Sequence, residues 1–172
     1  MSSSVTDSPA PLLRQATPAD APAIAAIYNQ NVAAGDASMD ESPLSVEDAH
    51  QRLENLGARE GFWVLEVAGE VRGWSSLKLY SDRAGYRFTA ESTVYLRREH
   101  RGQGYGRRLG EALLKSARAR DFHHLVAKVM ADNTGSIAFH QTLGYELVGR
   151  QQEVGYRDGR WIDMVILERV LR

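Results

Sequence analysis

The sequence contains no cysteine. This absence excludes disulfides, cysteine-ligated zinc, iron–sulfur clusters and thiol nucleophiles together. The sequence also lacks an excess of charge of one sign, because 21 lysines and arginines stand against 22 aspartates and glutamates. Proteins that bind nucleic acid or anionic membranes generally carry excess positive charge, so we expect neither as a partner. No apolar run approaches the roughly 18–20 residues that a membrane-spanning helix needs.

What is present is the composition of a globular protein. Apolar residues make up 43% of the 172 residues and charged residues 25%, which is enough apolar material to bury a core. Residues 1–10, rich in Ser, Pro and Ala, are predicted to form a flexible tail, and residues 11–172 a single domain. The N-terminus lacks the basic start and apolar stretch of a secretory signal, so we expect a cytoplasmic protein.

Hydrophobic periodicity predicts helices early and late in the chain, with a meander of strands between them. Thr17-Pro-Ala-Asp20 and Ser45-Val-Glu-Asp48 are typical helix starts, and Val46 is expected on the buried face of the second helix. Further helices are predicted after the glycine-rich turn described below and over residues 133–143. This order favours a single α+β sheet over a doubly wound parallel one. Strands are predicted at residues 12–15, 62–68, 71–80, 88–96, 124–130, 145–153 and 161–169, with Trp161 in the core.

The most informative segment is the glycine-rich turn within residues 97–108. It carries five arginines and one glutamate, and Gly102, Gly104 and Gly106 alternate where a strand is predicted to give way to a helix. Glycines let the backbone approach a ligand closely, and the free N–H groups of a helix N-terminus attract phosphate. The spacing fits neither the Rossmann pattern nor a Walker loop, which argues against a nucleotide-binding switch. Two interpretations stay open at this point, a pyrophosphate site and an arginine-rich surface turn.

Four segments together resemble one family of enzymes. The segment Arg101-Gly-Gln-Gly-Tyr-Gly106 resembles the acetyl-CoA pyrophosphate loop of the GNAT superfamily of N-acetyltransferases. The other three resemble its phosphinothricin and methionine-sulfoximine acetyltransferase branch. The resemblance implies the GNAT fold, an α+β (α/β sandwich) arrangement in which a mixed central sheet of about six to seven strands is flanked by about four helices. The three further segments are Thr89-Ala-Glu-Ser-Thr-Val-Tyr95, Asn133-Thr-Gly-Ser-Ile-Ala-Phe-His-Gln-Thr-Leu-Gly-Tyr145 and Val154-Gly-Tyr-Arg-Asp-Gly-Arg-Trp-Ile-Asp163.

The resemblance implies an acetyl-CoA site at the glycine-rich turn. The backbone of the strand before the turn would hydrogen-bond the pantetheine arm, and the N–H groups of the turn, assisted by arginine charge, would hold the pyrophosphate. Asn133 would contact the pantetheine or acetyl group, although an Asn at that position is equally explained as a helix N-cap. The implied acetyl-CoA-binding residues are Val94, Tyr95, Leu96, Arg101, Gly102, Gln103, Gly104, Tyr105, Gly106, Arg107 and Asn133.

Glu91 and His140 are the candidate catalytic residues. An amine must lose a proton before it attacks a thioester, and the resemblance implies that the Glu91 carboxylate takes that proton. From spacing alone, Glu91 fits a solvated strand face. His140 lies seven residues after Asn133 on the same face of the predicted helix, and its role as an acid, a base or a pocket wall stays open. Without cysteine no acetyl-cysteine intermediate can form, so direct transfer is favoured.

The loop before the Glu91 strand is the candidate substrate site. The resemblance implies that it reaches over the substrate, where an arginine would bind a carboxylate and an aromatic ring would cover the side chain. The branch has a lysine where this chain has Ser81, which places recognition of a phosphinate group in doubt. The implied substrate-binding residues are Arg83, Tyr86, Arg87 and Phe88.

The resemblance therefore predicts an acetyl-CoA-dependent N-acetyltransferase. Its expected acceptor is the amino group of a small amino acid or analogue of the phosphinothricin, methionine sulfone or methionine sulfoximine type. The alternatives are another small amine or a protein N-terminus as acceptor, and an acyl-CoA-binding module without turnover. A homodimer is implied by the same resemblance. No metal is expected, because the five histidines do not occur at metal-ligand spacing.

Overall fold

The structure is a computed structural model that describes residues 9–172, so the predicted flexible tail lies almost entirely outside the described residues. Its helices are α1 (Ala21–Ala34), α2 (Val46–Glu54), α3 (Tyr105–Ala119) and α4 (Thr134–Thr142). Its strands are β1 (Leu12–Gln15), β2 (Gly61–Val67), β3 (Glu70–Leu79), β4 (Thr89–Leu96), β5 (His124–Met130), β6 (Glu146–Arg157) and β7 (Arg160–Val170). Short 3-10 turns occupy Pro18–Asp20, Ala84–Tyr86 and Arg98–His100.

Helices α2 and α4 begin where the sequence supplies a capping side chain. The side chain of Ser45 accepts a hydrogen bond from the Asp48 N–H at 3.0 Å and starts α2. The side chain of Asn133 does the same for α4, accepting from the Ser136 N–H at 3.1 Å. Each of these bonds satisfies one N–H that the helix itself leaves without a partner. The predicted starts of both helices are therefore confirmed.

The strands form one mixed sheet of seven strands in the order β1-β2-β3-β4-β5-β7-β6. Neighbouring strands are antiparallel except for β4 and β5, which are parallel. The chain reaches β5 from β4 through α3, as a parallel connection requires. The mixed order predicted from the sequence is thus confirmed, and the single parallel pair lies at the centre of the sheet.

Helices cover both faces of the sheet, and strand β2 shows the division most clearly. Alternate side chains of a strand point to opposite faces. Phe62 and Val64 pack with α1 and α2, whereas Trp63, which lies between them and points to the other face, packs with α3. Burial on both faces explains why β2 reads as an almost continuous apolar run.

The central parallel pair is short, and its two strands then separate. Register runs only from Thr89 opposite His124 to Glu91 opposite Val126. Beyond that point β4 stays paired with β3 as far as Leu96, and β5 stays paired with β7. The backbone edge of residues 92–96 therefore faces β5 without being paired to any strand of the described chain. The gap that opens between β4 and β5 beyond Glu91 and Val126, called the wedge below, positions the candidate site.

Two expectations about the core are wrong. Trp161 is 62% exposed. Strand β7 pairs with β5 only from Met164 onward, so Trp161 lies on the part of the β6–β7 hairpin that extends beyond the sheet. Val46 is 50% exposed, because it is the first residue of α2 and precedes the turn that packs against α1.

Within residues 9–172, no helix combines the length and the apolar character that crossing a bilayer requires.

Candidate active site

The wedge between β4 and β5 opens into a cleft of about 430 Å³. Side chains and backbone from β4, β5, α1, α4 and the start of α3 line it. The cleft brings together the following residues predicted from the sequence: Glu91, Val94, Tyr95, Leu96, Arg101, Gly102, Gly106, Asn133 and His140. The predicted residues outside its lining are Gln103, Gly104, Tyr105 and Arg107 of the adjoining turn, and Arg83, Tyr86, Arg87 and Phe88 of the β3–β4 loop.

One end of the cleft is formed by the glycine-rich turn and the start of α3. Gly104 is the N-cap of α3, with φ of 81°, and it supplies no side chain to cap the helix. The first N–H groups of α3 are therefore free to face a ligand, and they carry the positive end of the helix dipole. A Cβ on Gly106 would come within 3.2 Å of Leu96 and 3.3 Å of Phe139, so glycine lets α3 begin close against β4 and α4. This arrangement fits the pyrophosphate of acetyl-CoA.

Arg101 is fixed at this end by Asn31, a residue that the sequence analysis did not single out. Asn31 is fully buried in α1, where its side-chain N–H donates to the Ile27 carbonyl at 2.8 Å. Its side-chain oxygen accepts a hydrogen bond from the Arg101 guanidinium at 2.7 Å. Burial, together with the nearby charge of Arg98, lowers the pKa of Arg101. Asn31 therefore holds one arginine of the loop in a defined orientation over the cleft.

The segment after α1 lines the cleft through Ala37 and is hydrogen-bonded to the residues around it. Arg98 forms a bidentate ion pair with Asp36 at 2.9 and 2.8 Å, and these hydrogen bonds lower the pKa of the Asp36 carboxyl. The side-chain N–H of Asn133 donates to the Asp36 carbonyl at 2.9 Å, so Asn133 is more than a helix cap. The Tyr95 hydroxyl donates to the Ala37 carbonyl at 2.9 Å, and burial raises the pKa of that hydroxyl.

Glu91 lies at the other end of the cleft, at the last position of β4 that pairs with β5. Its carboxylate accepts a hydrogen bond from the Lys128 ammonium at 2.9 Å, across the point where β4 and β5 separate. The Glu91 side chain is 37% exposed, so it is neither a buried structural charge nor a fully solvated one. Lys128 also lines the cleft, and its ammonium lies 5.9 Å from the centre of the Tyr80 ring. The sequence analysis did not single out Lys128.

His140 is buried in α4, and its tautomer follows from its partner. The ring Nδ1 lies 2.8 Å from the Ser136 carbonyl, which can only accept, so Nδ1 carries the proton. The neutral ring therefore has its lone pair on Nε2, the one remaining nitrogen. Burial lowers the pKa of His140, which favours this neutral form. His140 is thus arranged to accept a proton or a hydrogen bond at Nε2.

A pair of buried hydroxyls holds the ring of His140 against β4. Ser92 donates to the Val126 carbonyl at 3.2 Å, so the Tyr145 hydroxyl donates to Ser92 at 2.8 Å. The Tyr145 ring packs edge-on against His140 with 5.3 Å between the ring centres. Burial raises the pKa of Tyr145 to about 12, so this hydroxyl keeps its proton at neutral pH.

The predicted substrate loop is anchored by another residue that the sequence did not reveal. Arg59 donates to the carbonyls of Arg87, Arg120 and Asp121 and lies 5.2 Å from the Phe88 ring centre. The Arg87 guanidinium also stacks on Phe88, at 4.7 Å, and donates to the Ala84 carbonyl at 3.0 Å, and neither residue lines the cleft.

Another part of the same loop lies near the Glu91–Lys128 pair. Tyr86 packs against Tyr80 with 5.4 Å between ring centres, and Tyr80 is the ring beside the Lys128 ammonium. Tyr86 is 45% exposed. Arg83 caps the 3-10 turn and has its N–H bonded to the Ser81 hydroxyl at 3.3 Å. The substrate-binding roles of these residues stay predictions.

The remaining residues of the glycine turn face outward or into the fold. Arg107 pairs with Glu111 along the exposed side of α3 at 2.8 Å. Tyr105 packs beside Leu65 and Leu109. Within residues 9–172, no group of three or more His, Asp or Glu side chains is placed to hold a metal ion.

Residues 13–166 match the family model for the acetyltransferase (GNAT) domain. The chain belongs to the GNAT acetyltransferase family. The family resemblance drawn from the glycine turn and the three further segments is therefore confirmed, and so is the predicted GNAT fold. The protein is therefore an acetyltransferase. A related structure contains bound acetyl-CoA, the acetyl donor.

Three relatives illustrate the match. The chain is 37% identical over 159 residues to an L-methionine sulfoximine/L-methionine sulfone acetyltransferase of Pseudomonas aeruginosa, covering 91% of this chain and 92% of that protein. A phosphinothricin acetyltransferase of Sinorhizobium meliloti, solved in complex with acetyl-CoA, superposes with a TM-score of 0.88 at 32% identity, covering 94% of this chain and 88% of that one. A ribosomal-protein-alanine N-acetyltransferase of Brucella melitensis superposes with a TM-score of 0.89 at 38% identity, covering 93% and 99%.

Proposed function

We propose that this enzyme transfers an acetyl group from acetyl-CoA directly to the α-amino group of a small amino acid. L-Methionine sulfone, L-methionine sulfoximine and phosphinothricin are the leading acceptors, and the names of the relatives support this choice. The observation that carries the proposal is one cleft with a free helix N-terminus at one end and the Glu91–Lys128 pair at the other. An anion and an amine are thereby accommodated at the two ends of the same space.

The acetyl-CoA end is assigned to backbone groups. The N–H groups around Gly102 and Gly104 and the start of α3 would hold the pyrophosphate, with Arg101 adding charge. The open backbone edge of residues 92–96 would bond the pantetheine arm, as strand edges bond extended chains. When bound, acetyl-CoA supplies the acetyl thioester.

The amine end is assigned to Glu91 and His140. An amino acid arrives with a protonated amine, and the half-exposed Glu91 carboxylate accepts that proton directly or through a water molecule. His140, neutral and unprotonated at Nε2, accepts a hydrogen bond or a proton but cannot donate one from that atom in its neutral form. The chain contains no cysteine, so transfer proceeds without an acetyl-cysteine intermediate.

The experiment that tests this function is thiol release from acetyl-CoA against a panel of amines. The panel contains methionine sulfone, methionine sulfoximine, phosphinothricin, the common amino acids, polyamines and a peptide with a free N-terminus. We expect rapid release with the sulfone or sulfoximine and slow release with the polyamines. Binding of acetyl-CoA by calorimetry without release under any amine would contradict the proposal and favour an acyl-CoA-binding module.

A protein N-terminus is the second candidate acceptor. The Brucella melitensis relative supports it, because that protein is described as a ribosomal-protein-alanine N-acetyltransferase and is 38% identical to this chain. A peptide that begins with alanine, assayed beside free alanine and methionine sulfone, separates the two candidates. Faster release with the peptide than with every free amino acid would replace the first candidate by the second.

We also propose that the enzyme is a cytoplasmic homodimer with no nucleic-acid or membrane partner. The formal net charge of −1 supports the absence of such partners. An apolar surface on the β6–β7 hairpin supports the dimer, since it includes Val154, Tyr156 and Trp161, which are 54%, 56% and 62% exposed. Light scattering of the wild-type protein and of Trp161→Glu tests this: a dimer that the substitution converts to monomer is expected, and a monomeric wild type would contradict it.

A further inference from the structure

The charges that line the cleft include one cation at each end. Arg101 lies at the glycine-loop end, where Asn31 holds it, and Lys128 lies beside Glu91. Lys128 is on β5, which stays paired with β7, Lys128 opposite Ile166, so its backbone is fixed. Its side chain is 44% exposed, and its charged partner in the described chain is Glu91. Within residues 9–172 the ammonium makes no hydrogen bond other than the one to Glu91, and its exposure leaves it accessible to a ligand.

We propose that Lys128 binds the α-carboxylate of the acceptor and thereby selects free amino acids over amines that lack a carboxylate. The inference rests on the proposed function, whose substrate class it specifies. It makes Lys128 a specificity-determining residue at the amine end of the cleft, beside the carboxylate that receives the proton.

Strand geometry places Lys128 and Glu91 on the same side of the wedge. The neighbours of Lys128 along β5, Ala127 and Val129, are buried in the core beneath α3. By the alternation of a strand, Lys128 projects to the opposite face. Its ammonium meets the Glu91 carboxylate there at 2.9 Å, with the Tyr80 ring beside it. Both charged groups line the cleft at the point where the two strands separate.

The Glu91 carboxylate and the Lys128 ammonium are complementary in charge to the ammonium and the carboxylate of a free amino acid. In such a substrate the ammonium and the carboxylate are attached to the same carbon. When the substrate ammonium pairs with Glu91, the substrate carboxylate pairs with Lys128, so no charge loses its partner in the partly desolvated cleft. A polyamine or a peptide N-terminus brings an ammonium without an adjacent carboxylate. It would engage Glu91 and leave the Lys128 ammonium without its partner.

The test compares L-methionine sulfone with its carboxamide, which keeps the amine and the side chain but has no carboxylate. For the wild type we expect kcat/KM to favour the acid by on the order of ten- to hundredfold, the range for a charge-assisted hydrogen bond. Lys128→Met should reduce this preference to about one, mainly by raising KM for the acid, and Lys128→Arg should restore much of it. Both acceptors are measured with every protein, so their different basicity cancels when the preferences are compared.

Two matched variants control the experiment. Lys78→Met removes an exposed lysine that faces Glu91 across the β3–β4 register but lies outside the cleft lining, and we expect it to keep the wild-type preference. Arg83→Met tests one of the two loop arginines, Arg83 and Arg87, either of which the family resemblance allows to bind the carboxylate. Thermal melts show whether each variant is folded, and Lys128→Met is expected to fold because the side chain is 44% exposed.

The outcomes separate this inference from the proposed function. If Lys128→Met slows both acceptors equally and keeps the preference, Lys128 acts only on Glu91 and the inference is wrong. If Arg83→Met abolishes the preference and Lys128→Met does not, the carboxylate is bound by Arg83. A wild-type enzyme that acetylates a peptide and neither form of methionine sulfone would overturn the proposed function itself, before any variant is measured.

Discussion

The two ends of the cleft are built from different parts of the chain. The end that we propose for acetyl-CoA, called the acetyl-CoA end, consists largely of backbone N–H groups from one continuous segment, the glycine turn and the start of α3. The end that we propose for the amine, called the amine end, consists of side chains from three separate elements: Glu91 of β4, Lys128 of β5 and His140 of α4. The acetyl-CoA end requires mainly a particular backbone conformation. The amine end requires side chains that are far apart in the sequence to lie close together in the fold. We therefore expect substitutions to affect the two ends independently.

The largest effect is expected from Glu91→Gln. Removal of a general base lowers kcat by about 10²–10⁴-fold. The defect should be greatest below the pKa of the substrate amine, where the amine is protonated, and should narrow as the pH rises and free amine becomes available. A pH profile of thiol release measures this. Glu146→Gln, an exposed carboxylate on β6, is the matched control. A pH profile of thiol release identical to that of the wild type would contradict the assignment of Glu91 as the base.

Gly104→Val should break the other end. A β-branched residue is strained at φ of 81°, and its side chain would project beside the free N–H groups of α3. Acetyl-CoA affinity, measured by calorimetry, should fall on the order of a hundredfold, the equivalent of one or two charge-assisted hydrogen bonds. Gly69→Val places the same residue at φ of 78° in the β2–β3 turn and controls for backbone strain alone. Equal affinity of both variants would mean that the glycine turn is not the phosphate site.

His140→Gln should lower kcat by about tenfold, less than the roughly 10²–10⁴-fold expected for loss of a full acid or base catalyst, and should alter the pH dependence of stability. Burial lowers the pKa of His140 below its ordinary value of about 6.5, so the unfolded chain takes up this proton at a higher pH than the folded protein. The contribution to the free energy of unfolding is fully present above about pH 6.5 and decreases as the pH falls from there through the folded-state pKa. Urea melts of wild type and variant at pH 7.5 and 5.5 measure the difference. Identical losses of stability on acidification would contradict a buried neutral His140.

The smallest effect on activity is expected from Asn31→Ala, which sharpens the account of the acetyl-CoA end. Loss of the buried side chain leaves the Arg101 guanidinium without its acceptor and should destabilise the fold by about 1–3 kcal/mol. Acetyl-CoA affinity should fall only a few-fold, since backbone groups supply most of the binding. A variant that melts at a lower temperature and binds acetyl-CoA normally would restrict Asn31 to a structural role.

The difference between the two ends of the cleft, one built from a local segment and the other from distant side chains, also decides how much of the site the sequence could predict. The glycine turn, the Asn133 cap and the strand that carries Glu91 are local patterns, and the structure contains all of the elements they predict. Glu91 and Lys128 are 37 residues apart, and Asn31 and Arg101 are 70 apart. Neither pairing has a local signal, because it depends on how β4 and β5 diverge and on how α1 packs.

Strand patterns also fail to show where a register ends or a hairpin leaves the sheet. The alternation in β4 continues through residues 92–96 although pairing with β5 stops at Glu91, so the wedge is invisible in the sequence. Trp161 was expected in the core for the same reason, because its apolar character does not show that β7 extends past β5. Arg59, which holds the backbone beside Phe88, lies in a connecting segment with no motif of its own.

The most direct test of the separation between the two ends is a calorimetric titration of acetyl-CoA into the double variant Glu91→Gln/His140→Gln. The account predicts an affinity within a few-fold of wild type, together with an enzyme that releases almost no thiol. An affinity loss as large as that of Gly104→Val would contradict it, because the amine end would then be part of the acetyl-CoA site.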